Sequence, residues 1–356
     1  MRFIGNKENL LDFIDAGITI SGIKSGTFCD FFSGTANVGK YYKNKGFTII
    51  SSDLLYFSYI LQYAYIKNNK SPQFRRLLRI IKDNYLPSQL FVEPLDRVIH
   101  YLNALEGKEG FIYQNYTEKG TKNNSYIRKY FSPKNGKKID SIRQEVEKWK
   151  LKGLINASEY YILLACLIES VPYYANISGV YGAFLKKYDP RALKKFKLKP
   201  IQLVKNGHNH KVYNQDSMTL LDNLKTDILY IDPPYNERQY APNYHLLETI
   251  ARYDNPVIKG VTGMREYSDQ KSDFCNKYKA LKALDEIAKK ANYVLLALSY
   301  NSEGIMPTKK ILETLGKYGR VELIEANYRR FKSNNNGDSK YKKDIKEQLY
   351  LLERTS

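Results

Sequence analysis

The sequence predicts an α/β protein: a seven-stranded, doubly wound sheet with a mainly helical insertion. Three observations predict it. Residues 227 to 231 form a nearly continuous apolar run that ends abruptly in Asp232-Pro233-Pro234-Tyr235. Near the start, Gly26 to Phe32 reads as a strand that runs into the small-residue turn Ser33-Gly34-Thr35-Ala36 and a helix. Between residues 67 and 204 the alternation of strand and helix stops, and from 205 it resumes.

Taken in order, the chain opens with Met1-Arg2-Phe3-Ile4-Gly5-Asn6-Lys7 before an amphipathic helix around residues 8–16. The first strand ends at the small-residue turn, where backbone N–H groups can approach a ligand closely ahead of a helix at about 37–45. The turn lacks the Gly-Lys-Ser/Thr of a phosphate-binding loop and is not a full Gly-x-Gly-x-x-Gly. A second strand, Phe47 to Ser52, ends at Asp53. An acid there either takes ribose hydroxyls or caps the Leu54–Ile66 helix, and the ligand role is favoured. In the insertion, helical segments at Phe74–Tyr85, Pro94–Leu105, Ile142–Trp149 and Glu159–Ser170 alternate with basic, tyrosine-bearing pieces. One piece carries Lys129, Lys134, Lys137 and Lys138; the other carries Lys194, Lys195, Lys197 and Lys199. The sheet resumes with His210–Asn214, Ile228–Ile231 and Asn292–Tyr300, the last preceded by a helix at Lys277–Ala291. Val321–Tyr328 and Gln348–Glu353 leave no room for a helix between them. They therefore predict an antiparallel hairpin, whose basic tip includes Arg330 and Lys332.

The stretch with the most chemistry is the Asp232 turn. Prolines cannot donate to a sheet ladder, so the strand must stop and deliver its carboxylate at the carboxyl edge, where open α/β sheets bind ligands. An amine on an aromatic base is a poor nucleophile because its lone pair is delocalised. Two acceptors aimed at its N–H bonds, the Asp232 carboxylate and the Pro233 carbonyl, would draw the nitrogen towards a tetrahedral, more nucleophilic form. The ring of Tyr235 could stack on the base for about 1–3 kcal/mol. Read alone, the same residues also make an ordinary strand-ending turn with an aspartate cap.

Composition narrows the partner. Lys plus Arg exceed Asp plus Glu by 57 to 37, a formal charge of +20, and there are 32 tyrosines. A polyanion is the natural partner for such a field. No long apolar segment or signal peptide is legible, which predicts a cytoplasmic protein with no membrane span. Cys29, Cys166 and Cys275 lie far apart, without a Cys-x-x-Cys pair, and read as reduced thiols with no metal site.

Together these residues resemble the Dam-type (alpha-order, Asp-Pro-Pro-Tyr) adenine-specific DNA methyltransferases of type II restriction–modification systems. The order is Phe3-x-Gly5-x-Lys7, the Phe32-x-Gly34 turn, Asp53, Asp216, then Asp232-Pro233-Pro234-Tyr235. The resemblance implies a Rossmann-like, S-adenosylmethionine-dependent methyltransferase domain over residues 1–66 and 205–356. Residues 67–204 would be an inserted helical target-recognition domain. It implies that Phe3, Lys7, Asp30, Phe32, Gly34, Asp53 and Asp216 bind S-adenosylmethionine, with Lys7 and Asp30 near its methionine part, Asp53 on the ribose and Asp216 on the adenine amine. Asp232, Pro233 and Tyr235 would take a flipped-out adenine of double-stranded DNA for direct transfer to its N6 amine. Lys129, Lys194, Lys195, Lys197, Arg330 and Lys332 would contact DNA, and a cognate restriction endonuclease would be the genetic partner. Where such enzymes have a second glycine in the first turn, this chain has Ala36. No cysteine follows a proline, which argues against carbon-5 cytosine chemistry. Methylation of cytosine's exocyclic amine or of adenine in RNA, and a catalytically silent nucleic-acid-binding protein, remain as alternatives. His245, just after the motif, is read as structural.

Overall fold

The computed structural model describes residues 5–81, 92–329 and 344–354, and the chain groups into two compact units. One comprises Gly5–Lys67, Val204–Ala241 and the described part of Ser268–Ser356; the other comprises the described part of Asn68–Leu203 together with Pro242–Tyr267.

The first unit is built on a seven-stranded sheet. Its strands are β1 (Thr27–Asp30), β2 (Thr48–Asp53), β3 (Lys211–Asn214), β4 (Lys225–Ile231), β5 (Asn292–Asn301), β6 (Gly319–Arg329) and β7 (Asp344–Arg354). The spatial order is β3-β2-β1-β4-β5-β7-β6, parallel from β3 to β5, with β7 antiparallel to both β5 and β6. This is the expected doubly wound sheet with its terminal hairpin; the hairpin tip, with Arg330 and Lys332, lies outside the described residues. Strand order reverses between β1 and β4, so the crevice beyond their carboxyl ends is the topological switch point. Both strands are buried because helices cover both faces: Phe28, Cys29, Ile228, Leu229 and Ile231 are wholly inaccessible. At the amino ends, Asp227 fastens β4 to β1 by accepting from the Thr27 amide at 2.6 Å and its hydroxyl at 2.7 Å.

Helices in this unit are close to expectation. Leu11–Ile20, Asn37–Asn44, Tyr56–Gln62 and Ala280–Lys290 are observed, and the third widens into a π turn at Tyr63–Lys67. The loosened turn exposes carbonyls to the buried Lys43, which donates to Tyr65 at 3.0 Å and Ile66 at 2.8 Å. Thr308–Leu315 is an additional helix that the apolar pattern did not announce.

The second unit is mainly helical, with Pro94–Ala104, Phe111–Tyr116, Pro133–Leu151 and Ala157–Ser170 as its principal helices. The Pro133–Leu151 helix starts nine residues before the expected Ile142. Ser132 caps it by accepting from the Asn135 amide and Pro133 occupies its first position, a start signal that the basic run masked. Of the expected Phe74–Tyr85 helix, Arg75–Leu78 is formed, and residues 82–91 lie outside the described residues. A two-residue hairpin pairs Ile258–Lys259 with Met264–Arg265. Its turn is held by the buried Arg128, which donates to the carbonyls of Gly260 and Val261.

Candidate active site

At the carboxyl end of β1 the chain must reverse sharply into a helix. Gly34 (φ 52°) and Ala36 (φ 60°) both take left-handed conformations there. The backbone thus follows the path a second glycine would ease, although an alanine bears the strain of about 1–2 kcal/mol. Two carboxylates brace the turn from beneath. Asp30, 1% exposed, accepts from the Ser33 hydroxyl and the Gly39 amide, each at 3.1 Å. Burial pushes its carboxyl up to about 7, and the neighbouring Asp232 and Asp53 add to the rise while both hydrogen bonds oppose it. Asp53 accepts from the Gly34 amide at 2.8 Å through one oxygen and from the Leu55 amide at 2.8 Å through the other. Both Asp53 oxygens thus accept from backbone amides. Phe32 packs edge-on against Phe31 at 5.1 Å and Phe274 at 5.3 Å, so Phe274 is a wall residue the motifs did not indicate. Asp216, exposed after β3, accepts from the Met218 amide at 3.0 Å and starts a short 3-10 helix.

Register sets the β4 turn beside this one: Asp30 pairs with Tyr230, and Phe31 donates to the Tyr230 carbonyl at 3.0 Å. Two residues further on, Asp232 is 16% exposed at the head of the double-proline turn. Tyr235 closes the turn by donating its hydroxyl to Asp232 Oδ1 at 2.6 Å. Its ring meets Tyr300 edge-on at 5.0 Å, and its carbonyl accepts from the Ile305 amide at 2.9 Å. Pro233, without an N–H, is buried and keeps its carbonyl as an acceptor.

Lys7 lies at this second turn. Its ammonium donates to the Tyr235 hydroxyl, sits 4.7 Å from the centre of that ring and is 3.4 Å from Asp232 Oδ1. It also lies 3.7 Å from Glu347 Oε2 on β7, a residue no motif marked. Burial pushes both acids above the ordinary carboxylate range, and Lys7 pulls each partly back. Gly5 reaches this position at φ +80°, where a β-carbon would stand 2.9 Å from the Tyr240 hydroxyl. Phe3 lies outside the described residues.

The donor set fits a nucleoside methyl donor. A turn with left-handed backbone precedes a helix amino end, a half-buried acid ends β2, and an exposed acid follows β3. No group of three or more metal-binding side chains occurs among the described residues, and all three cysteines are free and buried.

The basic residues divide into two kinds. Lys194, Lys195 and Lys197 are exposed and alternate with the buried Phe196 and Leu198. Asn135 and Asn103 pin this extended segment by its backbone, at 3.0 Å to Phe196 and 2.8 Å to Leu198. Lys129 instead pairs with Glu118 at 2.7 Å. Lys138 is buried and donates to the carbonyls of Asn103 and Leu105 at the end of a helix. His245 is buried, with Nε2 2.9 Å from the Tyr181 carbonyl, and burial lowers its pKa to about 4.

The braced turn on β1 and the acid–proline–proline–tyrosine turn on β4 thus stand side by side at the carboxyl edge of the doubly wound sheet. The family profile of D12 class N6 adenine-specific DNA methyltransferase matches residues 3–314. The chain belongs to that family. It is 42% identical to Type II methyltransferase M.FokI of Planomicrobium okeanokoites, over 99% of this chain and 53% of that protein. It is 37% identical to Type II methyltransferase M.NlaIII of Neisseria lactamica over 100% of both chains. Modification methylase StsI of Streptococcus sanguinis is 36% identical over 99% of this chain and 52% of that protein. The chain thus spans about half the length of M.FokI and StsI and the whole of M.NlaIII. No helix among the described residues is long and apolar enough to cross a membrane.

Proposed function

We propose that this protein transfers a methyl group from S-adenosylmethionine to the N6 amine of an adenine flipped out of double-stranded DNA. It would thereby protect a specific sequence as the modification partner of a restriction endonuclease. The observation that carries this reading is the Asp232 turn standing beside the braced β1 turn at the switch point of the sheet. Lys7, Asp30, Phe32, Gly34, Asp53 and Asp216, with Phe3, are the proposed cofactor residues. Lys7 also belongs to the amine turn, through Asp232 and Tyr235.

The cofactor supplies an electrophilic methyl group. Asp53 and Asp216 hold polar edges of the nucleoside, while Asp30 acts from beneath by fixing the turn. Asp232 and the Pro233 carbonyl accept from the target amine and orient its lone pair. Tyr235 stacks on the base, which offsets part of the few kcal/mol spent on flipping. Much of the acceleration then comes from alignment of amine and methyl. The sheet turns carry nothing that tells one adenine from another. Sequence readout therefore falls to residues 67–204, with phosphate contacts from Lys194, Lys195 and Lys197 fixing register; Arg330 and Lys332 are further proposed contacts. Lys129 is a weaker candidate because Glu118 already answers its charge.

Host DNA isolated after expression tests the reading. It should resist an endonuclease of matching specificity, and modified-base sequencing should find N6-methyladenine in one sequence context. Unmodified DNA, or N4-methylcytosine in its place, would reject the proposal.

A further inference from the structure

Glu347 lies outside every motif, yet it reaches the amine turn. It stands near the start of β7, opposite Asn301 of β5 and Ala326 of β6. Because β7 runs antiparallel, its early residues lie at the edge where the parallel strands end. Glu347 is 9% exposed, and its Oε2 has no hydrogen-bond partner. Its ion partner among the described residues is the Lys7 ammonium at 3.7 Å, itself 3.4 Å from Asp232 and 4% exposed. Among the described residues, one buried ammonium therefore serves two carboxylates.

That charge count matters for the reaction. As the amine lone pair forms the new N–C bond, the C–S bond breaks with its electron pair moving to sulfur. The nitrogen must then lose one proton. Were Lys7 to face Asp232 alone, the pair would be neutral, and proton uptake by Asp232 would leave a bare, buried ammonium. Burying an unpaired charge is strongly unfavourable. With Glu347 present, the described residues of the cluster carry one surplus negative charge, and proton uptake brings them to neutrality.

We propose that Glu347 is a positioning residue for methyl transfer: by sharing Lys7, it leaves Asp232 free to accept the proton that the amine gives up. This rests on the methyltransferase reading above. Among the described residues, the other titratable groups facing the cluster are Tyr235 of the same turn, Tyr230 of β4 and Asp30 of β1. Asn301 and Ala326, opposite Glu347, do not titrate. Burial raises Glu347, and Asp232 raises it further.

The test needs two readouts. Carbon-13 NMR of carboxyl-labelled, cofactor-free protein follows Asp232 and Glu347 directly. Single-turnover transfer from labelled S-adenosylmethionine to unmodified plasmid DNA gives a pH–rate profile. In the wild type the two acids should take up their first proton as a coupled pair, above the usual carboxylate value of about 4. The rate should fall with acid through that same pH. Glu347→Gln should move the Asp232 titration and the acid limb together to lower pH and cut the plateau rate about 10–100-fold, within the reach of acid–base effects. Glu347→Asp, which keeps the charge, should restore the limb and part of the rate. Two independent, ordinary titrations in the wild type would overturn the proposal even if the glutamine variant did not fold. So would an Asp232 titration that Glu347→Gln leaves in place. An active wild type with either result would sink the role of Glu347 while leaving the methyltransferase reading intact.

Discussion

The two turns at the switch point are built by opposite means. The β1 turn is braced mainly through backbone: Asp30 and Asp53 accept from Gly39, Gly34 and Leu55 amides, and Ser33 donates through its hydroxyl. The β4 turn is held through side chains, with Asp232, Tyr235, Lys7 and Glu347 in one charged cluster. A backbone-braced turn keeps its shape whether or not a ligand is present, which suits a cofactor bound the same way in every cycle. A side-chain cluster can exchange its internal hydrogen bonds for those of an entering amine. Tyr235 now occupies the Asp232 oxygen with a bond that a base could replace. On the proposed reading, cofactor binding and chemistry should therefore be separable by mutation.

The largest effect should follow from Asp232→Ala, which removes the principal acceptor. Single-turnover transfer should fall by about 10³-fold or more, at the strong end of single-group contributions. Asp53→Ala strikes the other turn and removes a charged acceptor. Calorimetry should show S-adenosylmethionine binding weakened by roughly 1.5–3 kcal/mol. Neutralising Lys194, Lys195 and Lys197 together touches neither turn. DNA binding should weaken across all sequences, and its log–log salt slope should flatten by about 0.9 for each phosphate no longer neutralised, with cofactor affinity unchanged. An equal loss for one sequence alone would give these lysines a reading role.

The smallest effect concerns the brace itself. Asp30 has a folded pKa of about 7, well above its ordinary value of 3.8. A carboxyl raised by folding contributes stability at acid pH that is lost as pH climbs through the folded value. Wild-type melting temperature should therefore decline between about pH 4 and pH 7 through this group. Asp30→Asn should lack that component, because its amide oxygen can still accept from Ser33 and Gly39. The gap between variant and wild type should widen in the variant's favour across that window. Parallel melting curves would show that folding leaves the Asp30 carboxyl at its ordinary value, and would remove it as a neutral acceptor in the brace.

Much of this was legible in the sequence because burial and backbone chemistry are local. Continuous apolar runs marked the sheet strands, and two prolines fixed where β4 must stop and its carboxylate emerge. The Tyr240–Arg252 helix escaped notice because Pro242 lies in its first turn and Tyr244 breaks its geometry. Glu347 escaped because its importance comes from strand order, which brings β7 beside β5 in an antiparallel sense. The lysines show the same boundary. Lys138 and Lys194 look alike in a basic run, but one caps a helix from the interior and the other points outward from a pinned segment. Charge was readable; the direction of each side chain was not.

The division of labour between the turns is tested most directly by titrating S-adenosylmethionine into Asp232→Ala and Asp53→Ala side by side. The account predicts near wild-type affinity for Asp232→Ala, despite its failure to transfer methyl, and weakened affinity for Asp53→Ala. Equal weakening in both variants, or weakening confined to Asp232→Ala, would contradict it.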